Sequence, residues 1–356
     1  MFLALNEMKE AKLKYSLITG LLLLIAYLMF FLSGLANGLV QENKSAIDYW
    51  KADLVFLAKD ANATLNLSQI PKDKKKQIDA AKITSLQQFN TVAWTKAKPN
   101  EEDKQKVSLF GIEANSFLLP PVLKGRTLKG PNEALIDKSL ADKSGFELGD
   151  HIQFLNQDKT VKIVGITNKA TFNVSPVIYM SQETFKPFMR PSKTGDMLVN
   201  AFIVQGKVDN YPKSDFQKLS LESFITKLPG YNAQVLTFAF MIGFLILISA
   251  IIISIFMYVL TIQKAPIFGI MKAQGISNKV IANALLTQTF LLSIIGSSAG
   301  WLLTGLTALL LPKAVPFQGN LGLDSLIFTS LILCALLGTL FSVLATVRID
   351  PLKAIG

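Results

Sequence analysis

Cysteine and histidine are nearly missing from this chain: Cys334 and His151 are the only ones in 356 residues. A lone cysteine excludes an internal disulfide framework and any cysteine-based zinc site. A lone histidine, following the Leu148-Gly149-Asp150 turn into a strand from Ile152, leaves no cluster with metal-ligand spacing. It also leaves no spare base to activate a serine or cysteine nucleophile, so His151 reads as an exposed turn residue. No Gly-rich loop precedes a Lys-Ser/Thr pair, so there is no P-loop, and the chain is not expected to be an enzyme that hydrolyses nucleotide itself. Charge is scarce too, at 17% of residues against roughly 25% in soluble domains.

That scarcity is uneven. Four stretches carry no charge at all: Tyr15 to Gln41, Leu228 to Gln263, Val280 to Pro312 and Ser325 to Val347. The rest of the chain has about a quarter charged residues, as a soluble domain does. Each charge-free stretch exceeds the about 20 residues a helix needs to cross a hydrocarbon core of roughly 30 Å. The composition therefore predicts a membrane protein with four transmembrane α-helices, arranged one plus three, and a large extracytoplasmic α+β domain between the first and second.

The expected layout is an amphipathic cytoplasmic segment (1–15), a first span (16–38), the extracytoplasmic domain (39–231) and a second span (235–260). A cytoplasmic loop with a short helix (261–280), a third span (284–311), an outer loop (312–325), a fourth span (326–346) and a cytoplasmic tail (347–356) complete it. The basic start of the first span also suits a signal peptide, but its apolar run exceeds the roughly 7–15 residues of an h-region, and a retained span is expected. Lys9, Lys12, Lys14, Lys264, Lys272, Lys279, Arg348 and Lys353 flank the spans on one side, which the positive-inside rule assigns to the cytoplasm. The net charge of +11 thereby divides between helix orientation and a basic outer domain, and no nucleic-acid partner is needed to explain it.

Within the outer segment, Ala52 to Leu57, Val107 to Ile112, Glu133 to Ile136, Ile152 to Leu155, Thr160 to Ile166, Val177 to Met180 and Phe202 to Val204 read as strands. Pro71 to Leu86, with its lysines, reads as an exposed helix or linker. In the loop between spans two and three, Pro266 suits a helix start and Gly275 a helix stop. Ile267, Phe268, Ile270 and Met271 give that helix an apolar face. Such a helix suits docking into a soluble partner's groove, the plainer reading being a loop held at the lipid surface.

The run Gln263-Lys264-Ala265-Pro266-Ile267-Phe268-Gly269-Ile270-Met271-Lys272-Ala273-Gln274-Gly275-Ile276 and the Asp350-Pro351-Leu352-Lys353-Ala354-Ile355 ending resemble the FtsX/MacB superfamily of ABC-transporter permeases. The outer segment is similar to the family's extracytoplasmic core, from Glu133 through Leu148-Gly149-Asp150 to Val161-Lys162-Ile163-Val164-Gly165. Phe268 departs slightly from the family pattern. Tyr258 to Lys264, Ser33-Gly34-Leu35-Ala36, Gly38-Leu39 and Glu42-Asn43 further resemble the haem-efflux branch of that superfamily. The resemblance implies a homodimer in the lipid bilayer, bound to two ABC ATPase subunits through the cytoplasmic loop. Haem would be the transported substrate, ATP would be used by the partner, and no cofactor would be bound permanently. It also implies ATPase coupling through Pro266, Ile267, Phe268, Gly269, Met271, Lys272 and Gly275, with Phe268 and Gly269 mattering most.

Haem transport would ask for an apolar slot, aromatic or thioether contacts and an oxygen or sulfur ligand. Tyr27, Met29, Phe30, Glu42 and Trp50 are the candidates. Bundle packing or lipid contact is the competing reading for Met29, and an interfacial belt that for Trp50. Gly34 and Gly38, four apart and flanked by Ser33 and Ala36, suit close helix–helix packing. Lys72, Lys74, Lys75 and Lys76 form a basic run that suits haem propionates, anionic wall polymer or simply a solvated face. Two further functions fit the same architecture: an FtsX-like mechanotransmission regulator of an envelope protein, and a MacB-like exporter of peptides, lipoproteins or antibiotics.

Overall fold

The charge-free stretches must satisfy their backbone groups internally, and in the computed structural model all four are helical. Residues 10–113, 115–189, 195–312 and 315–347 are described. The amphipathic segment before residue 10, Lys313, and the tail with its Asp350-Pro351 motif lie outside them. The helices are α1 (Lys12–Asp48), α2 (Lys138–Ser144), α3 (Gln182–Phe185), α4 (Leu221–Thr226), α5 (Tyr231–Gln263), α6 (Ala265–Ala273), α7 (Asn278–Leu310) and α8 (Leu321–Val347). Four of them, α1, α5, α7 and α8, are long and apolar enough to cross a membrane. At 37 residues, α1 is ~55 Å long at 1.5 Å per residue, well beyond the hydrocarbon thickness, so its last turns continue into the soluble material.

The chain divides into two compact units, Met1–Gly38 with Leu236–Gly356, and Leu39–Val235. In the first, Tyr15, Ile18 and Leu22 of α1 pack with Ile253 and Met257 of α5, Leu292 of α7 and Ala335 of α8. Further along, Ala26, Met29 and Phe30 meet Ile327 and Leu331 of α8. Gly296 and Gly300 let α7 lie against α1: a Cβ at Gly300 would sit 2.7 Å from the Ala26 Cβ, and one at Gly296 2.6 Å from the Leu22 Cβ. Gly338 of α8 approaches Ser254 of α5 in the same way. Small residues let backbones close where lipid offers no hydrophobic drive for association. Large apolar side chains such as Leu24, Phe240, Leu309 and Phe341 point outward, as a lipid-facing surface requires.

The second unit is built on β1 (Leu54–Ala58), β2 (Ile70–Pro71), β3 (Ala80–Trp94), β4 (Gln105–Ile112), β5 (Val122–Gly125), β6 (Glu133–Asp137) and β7 (His151–Phe154). It continues with β8 (Gln157–Thr167), β9 (Thr171–Phe172), β10 (Ser175–Ser181), β11 (Leu198–Val199), β12 (Ala201–Val208) and β13 (Phe216–Ser220). Strands β13, β1, β12 and β3 form an antiparallel run. From β3 the pairing passes through β4, β10, β6 and β8 to β7, and β7 pairs back with β3 through Ala93 and Phe154. These pairings close on themselves as a small barrel, filled by residues such as Leu109, Ile136, Phe146, Phe154, Ile178 and Met180. Closure removes sheet edges that would otherwise stay unpaired. The pairs β4/β10 and β6/β8 are parallel.

One sequence expectation holds only in part. Pro71 to Leu86 is helical only over Lys72–Gln77, a 3-10 helix with no buried residue, and from Ala80 it is strand β3 rather than helix or linker. Polar residues hide the strand. Thr84, Ser85, Gln87 and Gln88 are buried, and their partners come from other strands and loops. Glu113 accepts from the Ser85 hydroxyl, and the Asn200 side chain accepts from the Gln88 backbone N–H. No apolar alternation marks a strand that buries Thr84, Ser85, Leu86, Gln87 and Gln88 in succession.

Candidate functional site

The loop between the second and third spans folds as α6, opened by Pro266 in its first turn and closed by Gly275 at φ +87°. Its faces are unequal. Phe268 is only 3% exposed, packed with Ile281 and Leu285 of α7 and Val343 of α8 and flanked by the half-buried Met271. Gly269 is buried beside it. Ile267 and Ile270 point the other way, 53% and 51% exposed, with Pro266 and Ala273 also outward. The expectation that Phe268 enters a partner's groove is therefore corrected: its ring is already committed to its own bundle. The free apolar surface is the opposite stripe.

Lys264 occupies the one-residue corner between α5 and α6. Its Nζ donates to Tyr15 Oη at 2.6 Å, and Tyr15 Oη donates to Gln288 Oε1 on α7 at 3.2 Å. Lys14 Nζ donates to Gln263 Oε1 at 3.0 Å. Tyr15 and Gln288 are buried, so polar bonds in this apolar setting tie the start of α1 to the corner that carries α6. Sequence reading missed Tyr15 and Gln288 because one hydroxyl and one amide inside apolar runs carry no spacing signal.

The haem candidates scatter. Met29 and Phe30 are buried in the bundle, where Ser249 Oγ lies 3.9 Å from the Met29 Sδ. Tyr27 is half-buried, with its hydroxyl 3.3 Å from that of Thr307. Its ring stacks on Phe31 at 5.8 Å, and Phe31 stacks on Phe317 at 5.7 Å. Trp50 is neither a belt residue nor a free contact. It is wholly buried in the second unit's core, stacked on Phe224 at 6.2 Å. Glu42 is buried, with Lys169 Nζ 3.0 Å and Lys143 Nζ 4.0 Å from its Oε1. Within the chain, Gly34 and Gly38 face a loop rather than another helix. A Cβ at Gly34 would strike the Phe317 ring, and one at Gly38 the Pro316 carbonyl, so this stripe seats the 315–318 loop.

Near Glu42 the second unit holds further ionisable groups. Burial pushes the Asp137 carboxyl up, against N–H donors from Ala170 and Ser139, and the Glu42 charge adds to the rise. Burial also raises the Tyr179 phenol, with Asp137 and Tyr49 contributing. The lysine run is largely spent on structure: Lys74 pairs with Asp215 at 2.5 Å, Lys75 with Glu113 at 2.7 Å, and Lys72 donates to Gln182 at 2.5 Å. Burial pushes Glu113 up, but Lys75 and Ser85 outweigh it and leave its carboxyl below the ordinary range. Among the described residues, no group of three or more His, Cys, Asp or Glu could hold a metal ion.

Residues 18–208 match the family described as MacB-like periplasmic core domain, and residues 239–350 match the FtsX-like permease C-terminal family. The chain belongs to the MacB/FtsX family of ABC-transporter permeases. Two full-length relatives carry the name putative hemin transport system permease protein HrtB. The Staphylococcus haemolyticus protein is 27% identical over 362 residues, and a Staphylococcus epidermidis protein is 28% identical over 363. Each alignment covers 100% of this permease and 99% of the relative. The extracellular domain of the Gram-positive ABC-type transporter YknZ is also similar, with 18% identity, a TM-score of 0.32, and 44% of this chain and 83% of that one covered. The permease is thus a multi-pass membrane protein with a large extracytoplasmic α+β domain, and its family implies a separate ATPase subunit as partner.

Proposed function

We propose that this permease exports haem across the cytoplasmic membrane as a homodimer, driven by two copies of a separate ATPase, with both chain termini and α6 on the cytoplasmic side. The observation that carries the reading is similarity over the whole chain to proteins named hemin transport permeases. The ATPase meets the outward stripe of α6 at Ile267 and Ile270. Its movement passes through the Lys264 corner and Tyr15 to α1, the helix that leads into the extracytoplasmic domain.

Haem is planar and apolar with anionic propionates, so it is expected to meet the membrane unit along flat aromatic surface. The stacked series Tyr27, Phe31 and Phe317 supports that role better than Met29, Phe30 or Trp50, whose side chains are already enclosed. Glu42 would have to exchange Lys169 for the iron before it served as a ligand. A mechanotransmission reading draws on one observation, the unbroken helix Lys12–Asp48, and moves an external domain without carrying cargo. Hemin titration of the purified permease separates the two. A Soret shift that weakens in Tyr27→Ala is expected for export. No shift, together with unchanged hemin tolerance when the protein is deleted, would sink the haem reading.

A further inference from the structure

The turn between β9 and β10 holds two consecutive non-glycine residues in the left-handed region, Asn173 at φ +48° and Val174 at φ +64°. Two-residue hairpin turns of this kind favour Asn followed by Gly, because a Cβ at positive φ is strained and a β-branched one most of all. Val174 bears that strain although its side chain is 53% exposed and so recovers little from packing within the chain. An observed outlier of this sort calls for a reward outside the fold.

The place of the turn identifies the reward. Val174 N–H donates to the Glu42 carbonyl and Asn173 N–H to the Asn43 carbonyl, both at 3.1 Å. Ser45 and Thr171 fasten the hairpin further, hydroxyl to hydroxyl at 2.7 Å. Glu42 is the first charged residue after the charge-free stretch that ends at Gln41. A second helix marks the same level: Asn43 Nδ2 donates to Gln234 Oε1 of α5 at 2.8 Å, and Gln234 immediately precedes the apolar run from Val235. Two spanning helices therefore leave the apolar layer together at the height of the turn, where lipid headgroups meet acyl chains. Lys143 and Lys169, which pair with Glu42, stand at the same level.

We propose that the Asn173-Val174 turn is a membrane-interface anchor, with Val174 inserted among the outermost acyl carbons of the surrounding lipid. The occupant is bilayer lipid, and contact with a second copy of the chain is the competing outcome.

The test uses the full chain in nanodiscs of phosphatidylcholine and phosphatidylglycerol, with Cys334→Ser as background and a nitroxide at Val174→Cys. Cysteine is less strained than valine at this φ, and intact insertion is checked by a label at Leu24, exposed on α1. Collision with oxygen relative to aqueous nickel chelate is read at position 174, at Leu24 and at Leu67, an exposed residue of the second unit. A ratio between the lipid-facing Leu24 label and the aqueous Leu67 label supports the anchor. A ratio equal to that of Leu67 overturns it, as does protection from both reagents, which would mean contact with protein.

Discussion

At the scale of single residues, glycine decides how closely the spanning helices approach. Gly300 lies where any side chain would meet Ala26 and the backbone of Tyr27, whereas Gly305, one and a half turns on, has nothing within 4 Å. Gly300→Leu is therefore expected to cost about 2 kcal/mol or more, the range of overpacked cores, and Gly305→Leu close to nothing. Thermal unfolding of the two variants in detergent measures the difference, and equal midpoints would remove the α1/α7 contact. The pair Gly296 and Gly300, four apart in Gly296-Ser297-Ser298-Ala299-Gly300, carries the same spacing that singled out Gly34 and Gly38. Spacing proposes that a backbone can be approached closely. It leaves open whether a helix or a loop approaches, and here α1 packs against the first pair while the 315–318 loop covers the second.

At the scale of elements, α6 shows what an apolar count leaves undecided. Ile267, Phe268, Ile270 and Met271 make the helix amphipathic in sequence, and the helix was legible from Pro266 and Gly275. Which apolar face is free depends on α7 and α8, whose Ile281, Leu285 and Val343 claim Phe268. Two substitutions are expected to behave differently. Ile270→Asp should leave the fold intact and abolish co-purification with the ATPase subunit. Phe268→Asp places a carboxylate in an apolar cluster without a partner, at a cost of several kcal/mol, and should lower thermal stability before it affects association. If Ile270→Asp retained the ATPase, the outward stripe would not be the docking face. Strand β3 teaches the same lesson in the second unit. Glu113 accepts from its Ser85 hydroxyl, Asn200 from its Gln88 backbone N–H and Ser108 from the Gln88 side-chain amide, partners that lie on other segments of the chain.

At the scale of the whole molecule, membership of an ABC-permease family implies a separate ATPase subunit as partner. The proposed homodimer would be closed by a two-fold axis. Native mass spectrometry of the assembled complex is accordingly expected to give two permease chains with two ATPase subunits, and a complex with a single permease would refute the homodimer.

Charge distribution alone determined the four spans and their separation from a soluble domain. These follow from the cost of desolvating charge and unpaired backbone, which acts on composition wherever the chain goes. Only the tertiary structure decided which apolar residues are spent and which remain available. Phe268, Met29 and Trp50 are enclosed, Ile267, Ile270 and Val174 are left outward, and Tyr15 is joined to Lys264 across 249 positions. Burial of a side chain is a property of what folds against it, and those neighbours lie too far along the chain for local periodicity to reveal them.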